Sequence, residues 1–457
     1  MTAGNNLTTE NILKTVITFT VPFLLANLIQ ALYGAADLMV IGWYCSSESV
    51  AAVSTGTQVT QIITSIISGL TLGGTVLIGK YVGMEKTDDI KETISTNLTA
   101  FIIAGAVLSV LLFVFAAPIL TALKTPESSF GLAKEYVRVC SCGVIFICGY
   151  NAISAVLRGY GDSKSPLIFV AVSGVLNFFG DIILVKYLNL GVSGTALATI
   201  LSQGISMFLA MAYLNKKDFV FRFRLKSFSI HRQKLKELAF VGIPITLQEC
   251  MVRFSFLYLT SVTNNLGVNA AAAVGIASKY DVFAMLPATS VANALAAIVA
   301  QNYGAGKYKR MSRALFTGIL FALPFSLIFF FWAQISSESM IGIFSNEDGI
   351  IRTGIPFFRT CSFDYIAVLF VFCLNGYLNG RSMTIFTMIS SCFGAAALRI
   401  PLIYLLCSRV PDNLGVIGMA APSVSAIMAV YTLIFVVLLI RRDNKYCTQM
   451  IKKLPPV

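Results

Sequence analysis

Two carboxylates stand where their neighbours in the chain offer no water. Asp37 lies in the middle of LYGAADLMVIGW, residues 32–43, and Asp181 in VLNFFGDIILV, residues 175–185. An acid at bilayer depth costs about 2.5 kcal/mol or more, and acids kept there commonly mark ion or proton pathways. Asn177 precedes Asp181 by four residues, so both project from one face of a helix. Thr199, in ALATILSQ, adds a hydroxyl from the next apolar stretch. Carboxylate, amide and hydroxyl oxygens suit a hard cation such as Na⁺, or a proton shared between the acids. Two carboxylates that close cannot both ionise cheaply, so the set is expected to bind one proton or one cation near neutral pH. Gln30, two helical turns before Asp37, and Tyr136 are expected to support this polar network. The competing reading of Asp37 is a protonated acid that only hydrogen-bonds a neighbouring helix.

The second half of the chain carries its own charges: Glu249 with Arg253 at i,i+4, Lys279 and Asp281, Asp364, and Arg399. Glu249, Asp281 and Asp364 form a possible second site. Glu249 and Arg253 can equally neutralise each other as a structural ion pair along one helix face. Other chemistries lack their residues. The single histidine, His231, lies in a basic loop, and most of the ten cysteines lie within apolar stretches as small packing groups. GYGDSKS at 159–165 lacks the glycine spacing of a phosphate-binding loop. The expectation is no enzyme, no resident metal and no cofactor. The 34 Phe and 17 Tyr could line a cleft for flat or cationic compounds, though most are expected to pack or to face lipid.

The elements that position these residues follow from composition. The 457 residues are 56% hydrophobic and 12% charged, too few charges to cover a soluble globule of this size. Apolar stretches of the roughly 20 residues that a helix needs to cross a bilayer recur along the chain. We count twelve, with no soluble domain left over, so the expected class is an all-α polytopic membrane protein. The net charge of +13 is concentrated in alternate loops: Lys80, Lys86 and Lys91; Arg158 and Lys164; the run from Lys216 to Lys236; Lys307, Lys309, Arg310 and Arg313; Arg381; and the tail from Arg441. The opposite loops hold Glu48, Glu127, Glu338, Glu347, Asp348 and Asp412 beside scattered cations such as Lys124, Lys186 and Arg409. The positive-inside rule therefore puts both termini in the cytoplasm of a multi-pass protein of the inner or plasma membrane. The basic charge reports topology and contact with lipid headgroups rather than nucleic acid.

The chain also repeats itself, the second half echoing the first in the same order. AAVSTG at 51 resembles AAAVGIA at 271, GKYVGMEK at 79 resembles AQNYGAGK at 300, and GVSGTALATILS at 191 resembles GVIGMAAPSVSA at 415. LRGYGDSKSPLIF at 157 resembles LNGYLNGRSMTIF at 374, which pairs Gly159 with Gly376 and Lys164 with Arg381. Pro22 has its partner in Pro244. Two six-helix repeats are expected around a central cleft: an N-terminal lobe over residues 1–214, a basic cytoplasmic linker over 215–235, and a C-terminal lobe over 236–457 with a short cytoplasmic tail. Six is even, so the halves are parallel repeats, a common construction for alternating-access transporters.

These motifs in this order, LYGAADLMVIGW, LRGYGDSKSP, NFFGD followed by GVSGTALAT, and AQNYGAGKYKR, resemble the multidrug and toxic compound extrusion (MATE) family, prokaryotic DinF-like branch, along essentially the whole chain. The resemblance implies a secondary active antiporter that exports amphipathic, often cationic organic compounds in exchange for H⁺ or Na⁺, acting as a monomer. It also implies that Asp37, Asn177, Asp181 and Thr199 match the cation site that DinF-like and archaeal members carry in the first lobe, with Gln30 and Tyr136 near it. NorM-like members place a glutamate in the seventh span several residues further past the proline than Glu249. Val252 and Arg253 stand in that region here, which assigns the coupling ion to the first lobe. The alternative within the same superfamily is a lipid-linked saccharide or lipid flippase, for which fourteen spans and a strongly cationic cavity would be expected.

Overall fold

A computed structural model describes residues 7–216, 221, 227–410 and 413–452, with side chains described up to residue 445 apart from that of residue 216. Residues 217–220 and 222–226 of the basic linker, Asp412 and the end of the tail lie outside the described residues. Twelve helices are long and apolar enough to cross a membrane: α1 (Ile12–Tyr44), α2 (Ser47–Gly83), α3 (Thr87–Ala122), α4 (Glu127–Gly159), α5 (Lys164–Tyr187), α6 (Gly191–Asn215), α7 (Arg232–Leu266), α8 (Val268–Gly304), α9 (Tyr308–Ile335), α10 (Asp348–Gly380), α11 (Thr384–Arg409) and α12 (Leu414–Lys445). The described residues contain no strand. The fold is all-α and polytopic, as composition requires in a solvent where every backbone group must be satisfied within its own helix.

The chain packs as two compact units, residues 25–246 in unit 1 and residues 7–24 with 247–457 in unit 2. In unit 1, α4 is the central helix and packs on α2, α3 and α6; in unit 2, α10 is central and packs on α8, α9 and α12. On α3 the stripe Ile94, Leu98, Phe101, Gly105 and Leu112 is buried, and Gly105 lets Ile145 and Cys148 of α4 come close. The opposite stripe, Ile103, Val107, Val110 and Val114, is apolar and exposed, a surface for lipid chains.

Helix ends reveal the repeat most clearly. After α2 the chain turns through Glu85 at φ +57°, closed by Lys86 N–H donating to the Tyr81 carbonyl; after α8 it turns through Gly306 at φ +69°, closed by Lys307 N–H donating to the Asn302 carbonyl. The same turn follows α4 at Gly161 and α10 at Ser382, where Asp162 and Met383 donate to the carbonyls of Leu157 and Leu378. Glu85 and Gly306 are separated by the same length of chain as Gly161 and Ser382, so one register relates α2–α4 to α8–α10. In that register Gly159 corresponds to Gly380, one helical turn beyond the Gly376 that the motif comparison selects. Packing gives the reason: a Cβ on Gly159 would strike Ile78 and the Thr75 carbonyl, and one on Gly380 would strike Val299 and the Ala296 carbonyl. The repeated Gly-Tyr doublet is a coincidence of composition, and Arg381 takes the place of Tyr160 rather than of Lys164.

The first helix of each repeat begins in one unit and ends in the other. The change falls after residue 24 in α1 and after residue 246 in α7, two residues beyond Pro22 and Pro244, which lie inside the helices. Each starting arm is tied down by side chains. In unit 1, Lys234 donates to Asp89 and to the Tyr81 hydroxyl, and Tyr81 donates to Glu237. In unit 2, Arg310 Nε and Asn302 Nδ2 donate to the Leu7 carbonyl at 3.1 and 3.0 Å, and Lys307 donates to the Thr8 carbonyl at 3.0 Å. In the register of the turns, Tyr81 corresponds to Asn302 and Asp89 to Arg310, so one turn performs the same task in both units with different chemistry.

Candidate functional site

Three helices of unit 1 converge on the acids. α1 carries Asp37, α5 carries Asn177 and Asp181, and α6 carries Thr199. Asp181, Asn177 and Asp37 are 0%, 1% and 4% exposed, so water reaches none of them freely. Thr199 Oγ1 stands 3.4 Å from Asp37 Oδ2 and accepts from Asn177 Nδ2 at 3.3 Å. Its single proton can go to Asp37 or back to the Thr195 carbonyl at 3.1 Å, but not to both at once. The two carboxyl groups adjoin each other, and among the described residues no Lys or Arg interacts with either. Apart from each other's carboxyl group, Asp37 Oδ1 and both oxygens of Asp181 have no hydrogen-bond partner among the described residues. A buried, unpartnered carboxylate is costly, so this cluster is most stable with a proton or a small cation among its oxygens.

Local sequence explains the convergence. Immediately after Asp181, the chain winds as a π-helix over Ile182–Tyr187 before α5 ends. Such wide turns interrupt regular hydrogen bonding and recur at functional sites. Gly174 makes room for the Tyr33 ring of α1, whose hydroxyl donates to the Val170 carbonyl; a Cβ at 174 would lie 2.4 Å from that ring. Ala198 packs against Gly180 and sets the approach of α6 to α5. Tyr33 and Gly174 escaped the sequence reading because a single tyrosine and a single glycine in apolar helices carry no directional signal.

Four expected residues thus come together, Gln30 does not join them, and Tyr136 stands beside them. Gln30 is exposed and makes no hydrogen bond to Asp37, Asn177, Asp181 or Thr199. Tyr136 is buried at 2% exposure, but its ring fills the space left by Gly56 on α2 and its hydroxyl lies 3.4 Å from Thr57 Oγ1. It braces α2 and also interacts electrostatically with Asp37.

In unit 2 the three expected acids separate into two groups. Glu249 is half-buried, Arg253 is exposed, and the two form no ion pair among the described residues. Asp281 and Asp364 interact with each other and with Arg399. Asp364 is 3% exposed, and the Ser425 hydroxyl adjoins its carboxylate. Arg399, at the end of a second π-helical segment over Phe393–Arg399, is 8% exposed. Its tie to the acids, across α8, α10 and α11, could not be read from spacing.

Comparison with known proteins agrees with this architecture. A family model described as MatE matches residues 22–183 and again 244–405, once in each repeat. The probable multidrug resistance protein YpnP of Bacillus subtilis is 28% identical over 404 residues, covering 87% of this chain and 88% of its own length. The FAD transporter of Shewanella oneidensis is 23% identical over 340 residues, 72% of this chain and 75% of its own. A solved MOP superfamily transporter from Pyrococcus furiosus superposes with a TM-score of 0.90 at 21% identity, covering 97% of this chain and 99% of that one.

Proposed function

The chain belongs to the MatE family of transporters, and on that premise we propose that it is a secondary antiporter, exporting amphipathic, often cationic organic compounds in exchange for H⁺ or Na⁺ bound at Asp37 and Asp181. The observation that carries this reading is the carboxyl pair of unit 1, buried between α1 and α5, with three oxygens that no donor outside the pair reaches among the described residues. Relatives named for multidrug resistance support the substrate class. The alternation of basic loops supports cytoplasmic termini in the inner or plasma membrane, and the protein acts as a monomer.

With the site empty, two adjacent buried carboxylates repel each other; a proton or Na⁺ between them removes that cost. Thr199 and Asn177 orient the pair, so ion occupancy draws α1, α5 and α6 together. The ion drives export only through its different affinity for the two conformations, about 5.5 kcal/mol for a full population switch. Bound on the outer side, it favours release of the compound; lost inside, it resets the protein.

The test is export of ethidium from vesicles carrying the full chain, with a pH gradient and a Na⁺ gradient imposed separately. The expected result is efflux under one gradient and its loss in Asp37→Asn. Efflux by Asp37→Asn at the wild-type rate would remove the site assignment, and wild-type vesicles that move dye under neither gradient would remove the antiporter reading.

A further inference from the structure

Unit 2 also holds two neighbouring acids, Asp364 buried and Asp281 half-buried, and adds a base. Arg399 donates to Ser255 of α7 at 3.3 Å and to Ser425 of α12 at 3.0 Å, and its guanidinium lies 4.9 Å from the centre of the Phe256 ring. These contacts hold the group at one place. They leave Nε unpartnered, and the guanidinium forms no direct ion pair with either carboxylate among the described residues. Ser425, which accepts from Arg399, also adjoins Asp364. Its hydroxyl proton is thus free to point at that carboxylate. The remaining titratable groups facing the cluster are Asp281 of α8, and Cys361 and Tyr365 of α10.

An arginine stays protonated even when buried, so this positive charge cannot leave. Two carboxylates and one guanidinium make a cluster one charge short of neutral, whereas the pair in unit 1 is two short. We propose that Arg399 is a tethered counter-ion, filling in unit 2 the electrostatic place that a mobile cation takes in unit 1, and that it thereby fixes how many coupling ions the protein takes up per cycle. Removing it leaves Asp281 and Asp364 in the state of Asp37 and Asp181, and the protein then binds one ion more. The π-helical winding that ends at Arg399 serves this role by turning the side chain inward from α11 between Ser255 and Ser425. The consequence per cycle rests on the antiporter reading; the ion count per chain does not.

Purified full-length protein in detergent, without Na⁺, is taken from about pH 8 to about pH 6 while an indicator dye counts protons bound per chain. Arg399→Gln is expected to take up about one proton more than wild type, and Arg399→Lys the wild-type number. An Arg399→Gln count equal to wild type overturns the proposal. In vesicles with the voltage clamped, the ion gradient that just balances an imposed ethidium gradient gives the ion-to-dye ratio. The expected ratio is one higher in Arg399→Gln. Should Arg399→Gln fail to reach the membrane, Asp364→Asn carries the test: an unchanged ion-to-dye ratio supports Arg399 as the counter-ion, and a ratio lower by one identifies Asp364 as a coupling site and overturns it. Wild-type vesicles that show no gradient-driven efflux refute the antiporter reading alone, and the proton count still decides the role of Arg399.

Discussion

The two units share a backbone plan and differ in their buried charge. The turns that follow α2 and α4 recur after α8 and α10 in one register, yet the residues at the charged sites do not correspond. In that register Asp37 falls on Tyr258, and Asp364 falls on Gly143. Unit 1 concentrates two acids with no base beside them among the described residues; unit 2 sets two acids against Arg399. The comparison teaches that the repeat transmits packing, which glycine contacts and turn geometry enforce, while each unit acquires its chemistry separately.

The largest expected effect tests that asymmetry directly. Asp181→Asn, like Asp37→Asn, should abolish gradient-driven dye efflux while membrane levels stay near wild type, because the amide keeps the shape and loses the charge. Asp281→Asn should retain measurable efflux. Equal loss in Asp181→Asn and Asp281→Asn would make the two units functionally alike.

Stability provides the next contrast. Arg381 and Asp443 form a buried pair in unit 2, with N–O distances of 2.6 and 3.2 Å. Removing one partner of such a pair typically costs about 3–5 kcal/mol. Arg381→Ala should therefore lower the thermal unfolding midpoint markedly more than Lys86→Ala, whose pair with Asp89 is exposed and 3.9 Å long.

A smaller effect separates the two helix-end glycines. In Gly380→Ala the new Cβ meets the rigid Ala296 carbonyl at 2.6 Å, whereas in Gly159→Ala the nearest backbone atom, the Thr75 carbonyl, is at 3.1 Å and the tighter contact is the Ile78 side chain at 2.8 Å. Overpacking of this kind costs about 1–3 kcal/mol, with Gly380→Ala toward the upper end, and Gly42→Ala should cost little because nothing lies within 4 Å. Thermal shift in one detergent ranks the three. Smallest of all, Thr199→Val should slow efflux a few-fold without abolishing it, since it removes one hydroxyl worth about 1 kcal/mol and leaves both acids; initial efflux rates check it.

The twelve helices, their pairing into repeats and the meeting of Asp37, Asn177, Asp181 and Thr199 were legible in the sequence. Length and apolarity suffice for the first, and a four-residue spacing brings Asn177 and Asp181 to one face. What escaped reading shares a physical cause. A membrane helix is apolar toward lipid and toward its neighbours, as the two stripes of α3 show, so its pattern does not say which way Gln30 or Tyr136 points. The slip from Gly380 to Gly376 has the same origin: in small, apolar helices, motif similarity survives a shift of one turn, and only the contact with the Ala296 carbonyl fixes the register. Arg399 was visible as a charge, but its partners lie on other helices that no local spacing connects.

The arms of α1 and α7 have a consequence for how the chain is made. Each repeat lends its opening segment to the other unit: residues 7–24 are held by Asn302, Lys307 and Arg310, and the start of α7 is held by Tyr81 and Asp89. The protein thus resembles a swapped dimer whose two copies are joined by a linker. Neither half can complete itself: synthesised alone, each presents an empty clasp and an unclaimed strap, and the halves are expected to persist in the membrane only when produced together.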